Sequence, residues 1–250
     1  MSIKGIIFDK DGTLMDFEQF WIPVAEHSIE FLLKALGMDM TLKDKLLNEI
    51  AGDKGVSGVL CCGTYKDVSE CFKRVLHENG FNADSGKLHE ITREAFHSSI
   101  CVGRVAPVCE RLTDVICDFK SRGIKLLLAT TDDEYITKKC LDKLRIAKYF
   151  DEIYTDDGLN PPKPNPWAIS KICSDFGFEK DELVMVGDTM TDMNFAKNGG
   201  IKAIGVAKNE RDKKNNRERR GSCGKRCIIS CRCIGQTLCG LSYQNIYYRP

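Results

Sequence analysis

Ile3-Lys4-Gly5-Ile6-Ile7-Phe8-Asp9-Lys10-Asp11-Gly12-Thr13 decides the fold. Ile3 to Phe8 is an apolar run of strand length, hydrophobic on both faces, which marks a strand buried inside a parallel sheet. Asp9-Lys10-Asp11-Gly12-Thr13 ends the run, so carboxylates sit at a strand's C-terminal edge. Downstream, from Phe17 to about Cys101, the pattern turns helical: Trp21, Val24, Ala25, Ser28, Ile29, Phe31, Leu32 and Leu36 keep a 3.6-residue spacing that stops at Gly37. Helices are likewise expected over Thr41–Ile50, Tyr65–Glu78 and Ser85–Ile100.

After Gly103 the pattern alternates. A helix is predicted over Val108–Ser121, a buried strand over Ile124–Ala129 ending in Thr130-Thr131-Asp132-Asp133, and a helix over 133–146. Then come a strand within Tyr149–Tyr154, a Pro-rich loop holding Lys163-Pro164-Asn165-Pro166, and a helix over 167–176. A strand over Leu183–Val186, the loop Gly187-Asp188-Thr189-Met190-Thr191-Asp192, a short helix and a strand over Ile201–Val206 close the series. Strands alternating with helices predict an α/β fold: a Rossmann-like parallel sheet core with an inserted α-helical cap domain. The expected division is 1–15 and 104–207 for the core, 16–103 for the cap and 208–250 for an atypical tail.

Composition sets the outer bounds. A chain of 250 residues, 42% hydrophobic and 29% charged with 7 Pro, excludes collagen-like, low-complexity and membrane-spanning classes. No apolar run approaches the roughly 20 residues of a spanning helix. The start carries no signal- or transit-peptide pattern, so a cytoplasmic location is expected, with no membrane partner. The net charge of +1 hides a split: residues 1–210 hold 27 basic and 34 acidic side chains, whereas 211–250 hold 10 and 2.

In an open parallel sheet, ligands bind beyond the carboxyl ends of the strands. Four polar clusters fall there: Asp9/Asp11, Thr130/Thr131, Lys163 and Asp188/Asp192. Four carboxylates together repel one another and call for raised pKa values or a bound cation; hard oxygen ligands in a small site suggest Mg2+. A hydroxyl with free backbone N–H groups and one lysine suits the non-bridging oxygens of a phosphoryl group. Any single cluster is open to a plainer reading: Asp188-Thr189 could simply cap the next helix, Thr130 satisfy a strand end, and Lys163 be a loop charge.

With these motifs in order, the sequence resembles the haloacid dehalogenase-like superfamily, in the phosphoglycolate phosphatase and β-phosphoglucomutase-like branch with a helical cap. Asp9-Lys10-Asp11-Gly12-Thr13 matches the D-x-D-G-T motif, Thr130 the hydrophobic-run-plus-threonine motif, Lys163-Pro164-Asn165-Pro166 the lysine loop and Gly187-Asp188-x-x-x-Asp192 the G-D-x-x-x-D motif. The resemblance covers roughly residues 3–206. It implies a magnesium-dependent phosphatase of a small phosphorylated metabolite, phosphoglycolate-like, working through an aspartyl-phosphate on Asp9. Asp11 is then the general acid and base; Thr130, Thr131 and Lys163 cradle the phosphoryl group; Asp9, the Asp11 carbonyl and Asp188 hold Mg2+; and Asp192 lies in the outer shell. Asp11 also argues against dehalogenase and phosphonatase-like members, which lack that acid. The cap is expected to close over the site and set substrate choice, with Gly52–Gly58 a candidate contact loop. A sugar phosphomutase is the alternative of like chemistry, and a non-catalytic binding protein acting through the tail is the alternative of another class.

The scattered cysteines of residues 1–210 read as buried or incidental thiols, and the four histidines, all in the inserted helices, as helix-face or packing residues. The tail breaks the pattern. Cys223-x3-Cys227-x3-Cys231-x-Cys233 has spacings zinc could use, yet no histidine follows. A basic nucleic-acid-binding arm rests on charge alone. The preferred reading is an out-of-frame extension replacing the family's normal C-terminus, because charge, cysteine density and pattern all change at one point.

Overall fold

A computed structural model describes residues 2–52, 58–207 and 227–231, with Ala207 and the last five as backbone. Six strands form one parallel sheet: β1 (Gly5–Phe8), β2 (Lys125–Ala129), β3 (Glu152–Tyr154), β4 (Leu183–Gly187), β5 (Lys202–Ala207) and β6 (Cys227–Cys231), in the order β3-β2-β1-β4-β5-β6. Alternation along each strand sends successive residues to opposite faces. Ile6, Phe8, Leu126, Leu128, Val184 and Val186 enter one apolar cluster, and Ile7, Leu127, Ala129, Leu183 and Met185 the other. Both faces are covered, which explains why the central strands read as continuous hydrophobic runs.

Helices supply the covers. The first face packs against α6 (Leu112–Ser121) through Leu112, Val115, Ile116 and Phe119, and against Leu141 of α7 (Glu134–Lys143). The second packs against α8 (Trp167–Phe176) through Ile169 and Ile172, and α9 (Met190–Gly199) through Phe195 and Ala196. Several boundaries differ from the periodicity for local reasons. Residues 108–111 are not helical because the Val108 N–H bonds Leu14 O at 3.1 Å, tying the chain to the loop after β1. The helix expected to run to 146 stops at Lys143, since Arg145 takes a positive φ of 59°. The strand sought in Tyr149–Tyr154 shrinks to three residues behind a turn at Ala147–Tyr149.

The second compact unit spans residues 16–106 with 134–136. It contains α1 (Phe17–Ala35), α2 (Lys43–Ala51), α3 (Val59–Cys62), α4 (Tyr65–Glu78) and α5 (Ser85–Ser99). Asp16 caps α1 by accepting the Gln19 N–H, and Thr64 with Asp67 forms a capping box on α4. The apolar stripe of α1 meets α5 through Trp21 and Phe96, whose ring centroids lie 6.0 Å apart. Arg104–Ala106, assigned to the core on sequence, belongs to this unit, where the Arg104 N–H bonds Gln19 O at 3.0 Å.

All eight cysteines between Cys61 and Cys173 are free. Among the described residues no helix is long and apolar enough to cross a membrane. Residues 53–57 of the glycine-rich loop and most of the tail lie outside the described residues, as do Cys223 and Cys233. The tail residues that are described, Cys227–Cys231, run parallel to β5 with Ala203 opposite Cys227.

Candidate active site

Sheet register brings the strand ends together. Phe8 pairs with Leu128 on one side and Val186 on the other, so Asp9 follows β1 level with Ala129 and Gly187, one residue short of Thr130 after β2 and Asp188 after β4. The Asp9 N–H donates to Val186 O at 2.8 Å, and the Thr130 N–H to Tyr154 O at 3.0 Å. Asp9, Thr130, Lys163 and Asp192 are all buried; Asp11, Thr131 and Asp188 are half-buried.

Lys163 Nζ donates to Asp9 Oδ1 and to Asp192 Oδ1, each at 2.6 Å. The loop that delivers it is riveted: Asn198 Nδ2 donates to Pro164 O at 2.9 Å, and the Trp167 N–H to Asn165 Oδ1 at 3.0 Å. Asp192 is committed on both oxygens, because Oδ2 accepts from the Thr189 N–H at 3.0 Å and the Thr189 hydroxyl at 2.7 Å in the capping box of α9. The plainer reading that Asp188-Thr189 caps a helix is thus half right: Thr189 is the cap, and Asp188 remains for the site. Asp188 Oδ1 accepts from Thr13 Oγ1 at 3.2 Å.

Two glycines make this approach possible. Gly12 has a φ of +76°, and a Cβ there would lie 2.1 Å from Asp188 Oδ2. A Cβ on Gly187 would lie 2.4 Å from Asp192 Cβ.

One oxygen from each of Asp9, Asp188 and Asp192 lies within 4.8 Å of the others. Burial, opposed by Lys163 and reinforced by the charges of Asp192 and Asp11, pushes the Asp9 carboxyl up to about 7. Burial first, then Asp9 and Asp192, holds Asp188 well above the usual carboxylate range. Burial alone would lower Lys163, but Asp192 and Asp9 outweigh it and keep the ammonium above its ordinary range. One ammonium thus faces three carboxylates in a buried, all-oxygen setting. That surplus of negative charge and that donor set fit a hard divalent cation.

Thr130 Oγ1 accepts from the Asp132 N–H at 3.2 Å, so its hydroxyl hydrogen remains available to a ligand. A second buried charge group lies beside the first and escaped the sequence reading. Lys10, fully buried, pairs with both oxygens of Asp11 at 2.8 and 2.6 Å and with Asp132 Oδ2 at 2.7 Å. Burial and the charge of Asp11 push the Asp132 carboxyl up to about 8 against the pull of Lys10. The one available signal was a lysine set between two aspartates directly after an apolar strand. His27, exposed on its helix, meets Ser99 Oγ through Nδ1 at 2.9 Å, and His97 lies against Tyr65 and Tyr135.

Comparison with known proteins identifies the family. The haloacid dehalogenase-like hydrolase family matches residues 6–206. A phosphoglycolate phosphatase of Aquifex aeolicus is 30% identical over 203 residues, covering 80% of this chain and 83% of its own. The pyrophosphatase PpaX of Halalkalibacterium halodurans is 24% identical over 209 residues, covering 82% and 84%. Among solved structures, CbbY of Rhodobacter sphaeroides in complex with phosphate superposes with a TM-score of 0.60 at 22% identity, covering 82% of this chain and 86% of that one. With strand ends, lysine and aspartates assembled as described, the chain belongs to the haloacid dehalogenase-like hydrolases, on their phosphoglycolate phosphatase-like branch.

Proposed function

We propose that this phosphoric monoester hydrolase is a cytosolic, magnesium-dependent phosphatase acting on a small phosphoglycolate-like ester through an aspartyl-phosphate on Asp9. The observation that carries the reading is the buried Asp9 carboxylate, held at 2.6 Å by Lys163 within reach of Asp188. The relatives named phosphoglycolate phosphatase support 2-phosphoglycolate as the first ester to test, and the pyrophosphatase relative adds pyrophosphate.

In the first step an Asp9 carboxylate oxygen attacks phosphorus and the ester P–O bond breaks. Its electron pair leaves with the alcohol oxygen, which takes a proton from Asp11. In the second step Asp11 accepts a proton from water as that water attacks phosphorus, releasing phosphate and restoring Asp9. Lys163, the Thr130 hydroxyl and the Thr131 N–H hold the non-bridging oxygens. Lys163 also donates to Asp9 Oδ1 and so holds that carboxylate in place. Asp9, Asp188 and the Asp11 carbonyl are the residues that would hold Mg2+; Asp192, whose oxygens are committed to Lys163 and Thr189, supports from the outer shell. When bound, the cation neutralises charge on the transferring phosphoryl group and on the carboxylates around it.

The test is phosphate release from 2-phosphoglycolate, pyrophosphate, sugar phosphates and p-nitrophenyl phosphate, with Mg2+ and with EDTA. Asp9→Asn is expected to lose about 10³-fold or more in kcat while retaining its fold. Full activity in that variant refutes the nucleophile, and product without released phosphate would point to a mutase.

A further inference from the structure

Among the described residues, Lys10 is a lysine wholly hidden from solvent, with 0% exposure. Its neighbours include Met15, whose sulfur lies 3.9 Å from Nζ, Cys140 and two aspartates. A buried ion pair is a poor way to stabilise a core, since an apolar side chain of the same volume generally does as well or better. The position lies two residues past the end of an apolar strand and is fully buried, so an apolar residue there would extend the core. Lys10 therefore has to be explained by what it holds.

It holds Asp11. Both oxygens of that carboxylate lie within 2.8 Å of one nitrogen, which fixes the side-chain rotation. Lys10 is itself pinned from the other side by Asp132 Oδ2 at 2.7 Å. Asp132 in turn is set by the turn that carries Thr130: its N–H bonds Thr130 Oγ1 at 3.2 Å and its carbonyl accepts from the Asp156 N–H at 2.8 Å. A continuous path of contacts thus ties the orientation of Asp11 to the end of β2.

We infer that Lys10 and Asp132 are positioning residues that fix the Asp11 carboxyl for proton transfer to the leaving oxygen. This rests on the proposed function, because it takes Asp11 as the acid. Neither residue reacts: the proton moves from Asp11 to the leaving oxygen as the P–O bond breaks, and Lys10 keeps its own protons throughout. A misplaced acid harms esters whose leaving oxygen is strongly basic and spares those whose leaving group departs unprotonated, a distinction that a loss of fold or of metal does not make.

The experiment measures kcat/KM of the full chain with Mg2+ on an alkyl ester, 2-phosphoglycolate or glycerol 2-phosphate, and on p-nitrophenyl phosphate. Lys10→Met is expected to lose about 30-fold or more on the alkyl ester and less than about 3-fold on the aryl ester. Asp132→Asn, nearly isosteric and gentler on the fold, is expected to lose about 10-fold on the alkyl ester with the same selectivity. Combining Lys10→Met with Asp11→Asn should cost less than about 3-fold beyond Asp11→Asn alone, since residues acting as one unit are not additive. Equal losses on both esters, full additivity with Asp11→Asn, or no loss in either single variant overturns the inference. Failure of the underlying reading shows separately, as wild-type activity that survives Asp9→Asn.

Discussion

Lys163→Met should expose how much of the core's stability depends on one buried ammonium. Lys163 Nζ sits 2.6 Å from Asp9 Oδ1 and 2.6 Å from Asp192 Oδ1, with side-chain exposures of 5%, 10% and 1% for the three residues. None of these charges is screened by solvent, so the small values typical of surface pairs do not apply. Removing one partner of such a cluster leaves the others buried and uncompensated, at a cost of about 3–5 kcal/mol. Asp192 keeps its Thr189 bonds, which softens its share, whereas Asp9 loses its bonded cation outright. In a domain of this size each kcal/mol moves Tm by about 2–4 °C, so the variant should melt about 6–20 °C below the parent in EDTA. A divalent cation binds the folded state selectively and should return part of the loss. Scanning calorimetry of both proteins in EDTA and in about 10 mM MgCl2 checks both parts. A Tm change below about 2 °C in EDTA, or a loss that Mg2+ leaves untouched, refutes the assignment of Lys163 as counter-charge to a cation-binding aspartate cluster.

Gly12→Ala combines a positive φ with a Cβ 2.1 Å from Asp188 Oδ2; backbone strain alone costs about 1–2 kcal/mol, and Asp188 must move, so the Mg2+ concentration giving half-maximal activity should rise about tenfold or more. Unchanged metal activation would show that Asp188 is not a ligand. Asp151 accepts from Lys120 at 2.7 Å, Lys125 at 2.8 Å and the Leu126 N–H at 2.9 Å. Burial pushes its carboxyl up, but those bonds outweigh it and the net shift is downward. A carboxyl lowered in the folded state stabilises above its unfolded pKa of about 3.9 and loses that contribution as pH falls through the folded value. Because the two lysines are 31% and 46% exposed, the contribution is discounted to about 1 kcal/mol. Asp151→Asn should therefore be less stable than the parent at pH 7 by urea denaturation, with the gap closing between about pH 5 and pH 3; a gap independent of pH contradicts it.

How much of this was legible in the sequence depends on whether a feature is written along the chain or across it. β1 and β4 were legible because burial on both faces leaves an unbroken apolar run, and a parallel sheet sends every strand's C-terminal end to the same edge. Knowing only that each polar cluster follows a strand was enough to assemble Asp9, Thr130, Lys163 and Asp188, and the register of Phe8 with Leu128 and Val186 supplies the rest. Boundaries set by a distant partner were not legible. The late start of α6 depends on Val108 bonding Leu14, and periodicity carries no record of that bond.

The Lys10–Asp132 pair is the stronger case, since a strand-end rule treats both as ordinary polar termini. Their partnership follows only from β2 lying beside β1, which brings the turn after Ala129 against the turn after Phe8. Charge counting could still have raised the question. A lysine between two aspartates at the mouth of a buried strand must either reach solvent past its neighbours or find carboxylates to meet it, and the short, closed turn Lys10–Met15 removes the first option: the Leu14 and Met15 N–H groups both return to Lys10 O. Once solvent is closed off, the ammonium has to be matched inside. Asp11 alone would match it, but on the proposed mechanism that carboxylate also exchanges a proton and so cannot serve as a permanent counter-ion. Asp132, 2.7 Å from the same ammonium, is a second contact that holds Lys10 in place through that exchange on the proposed mechanism.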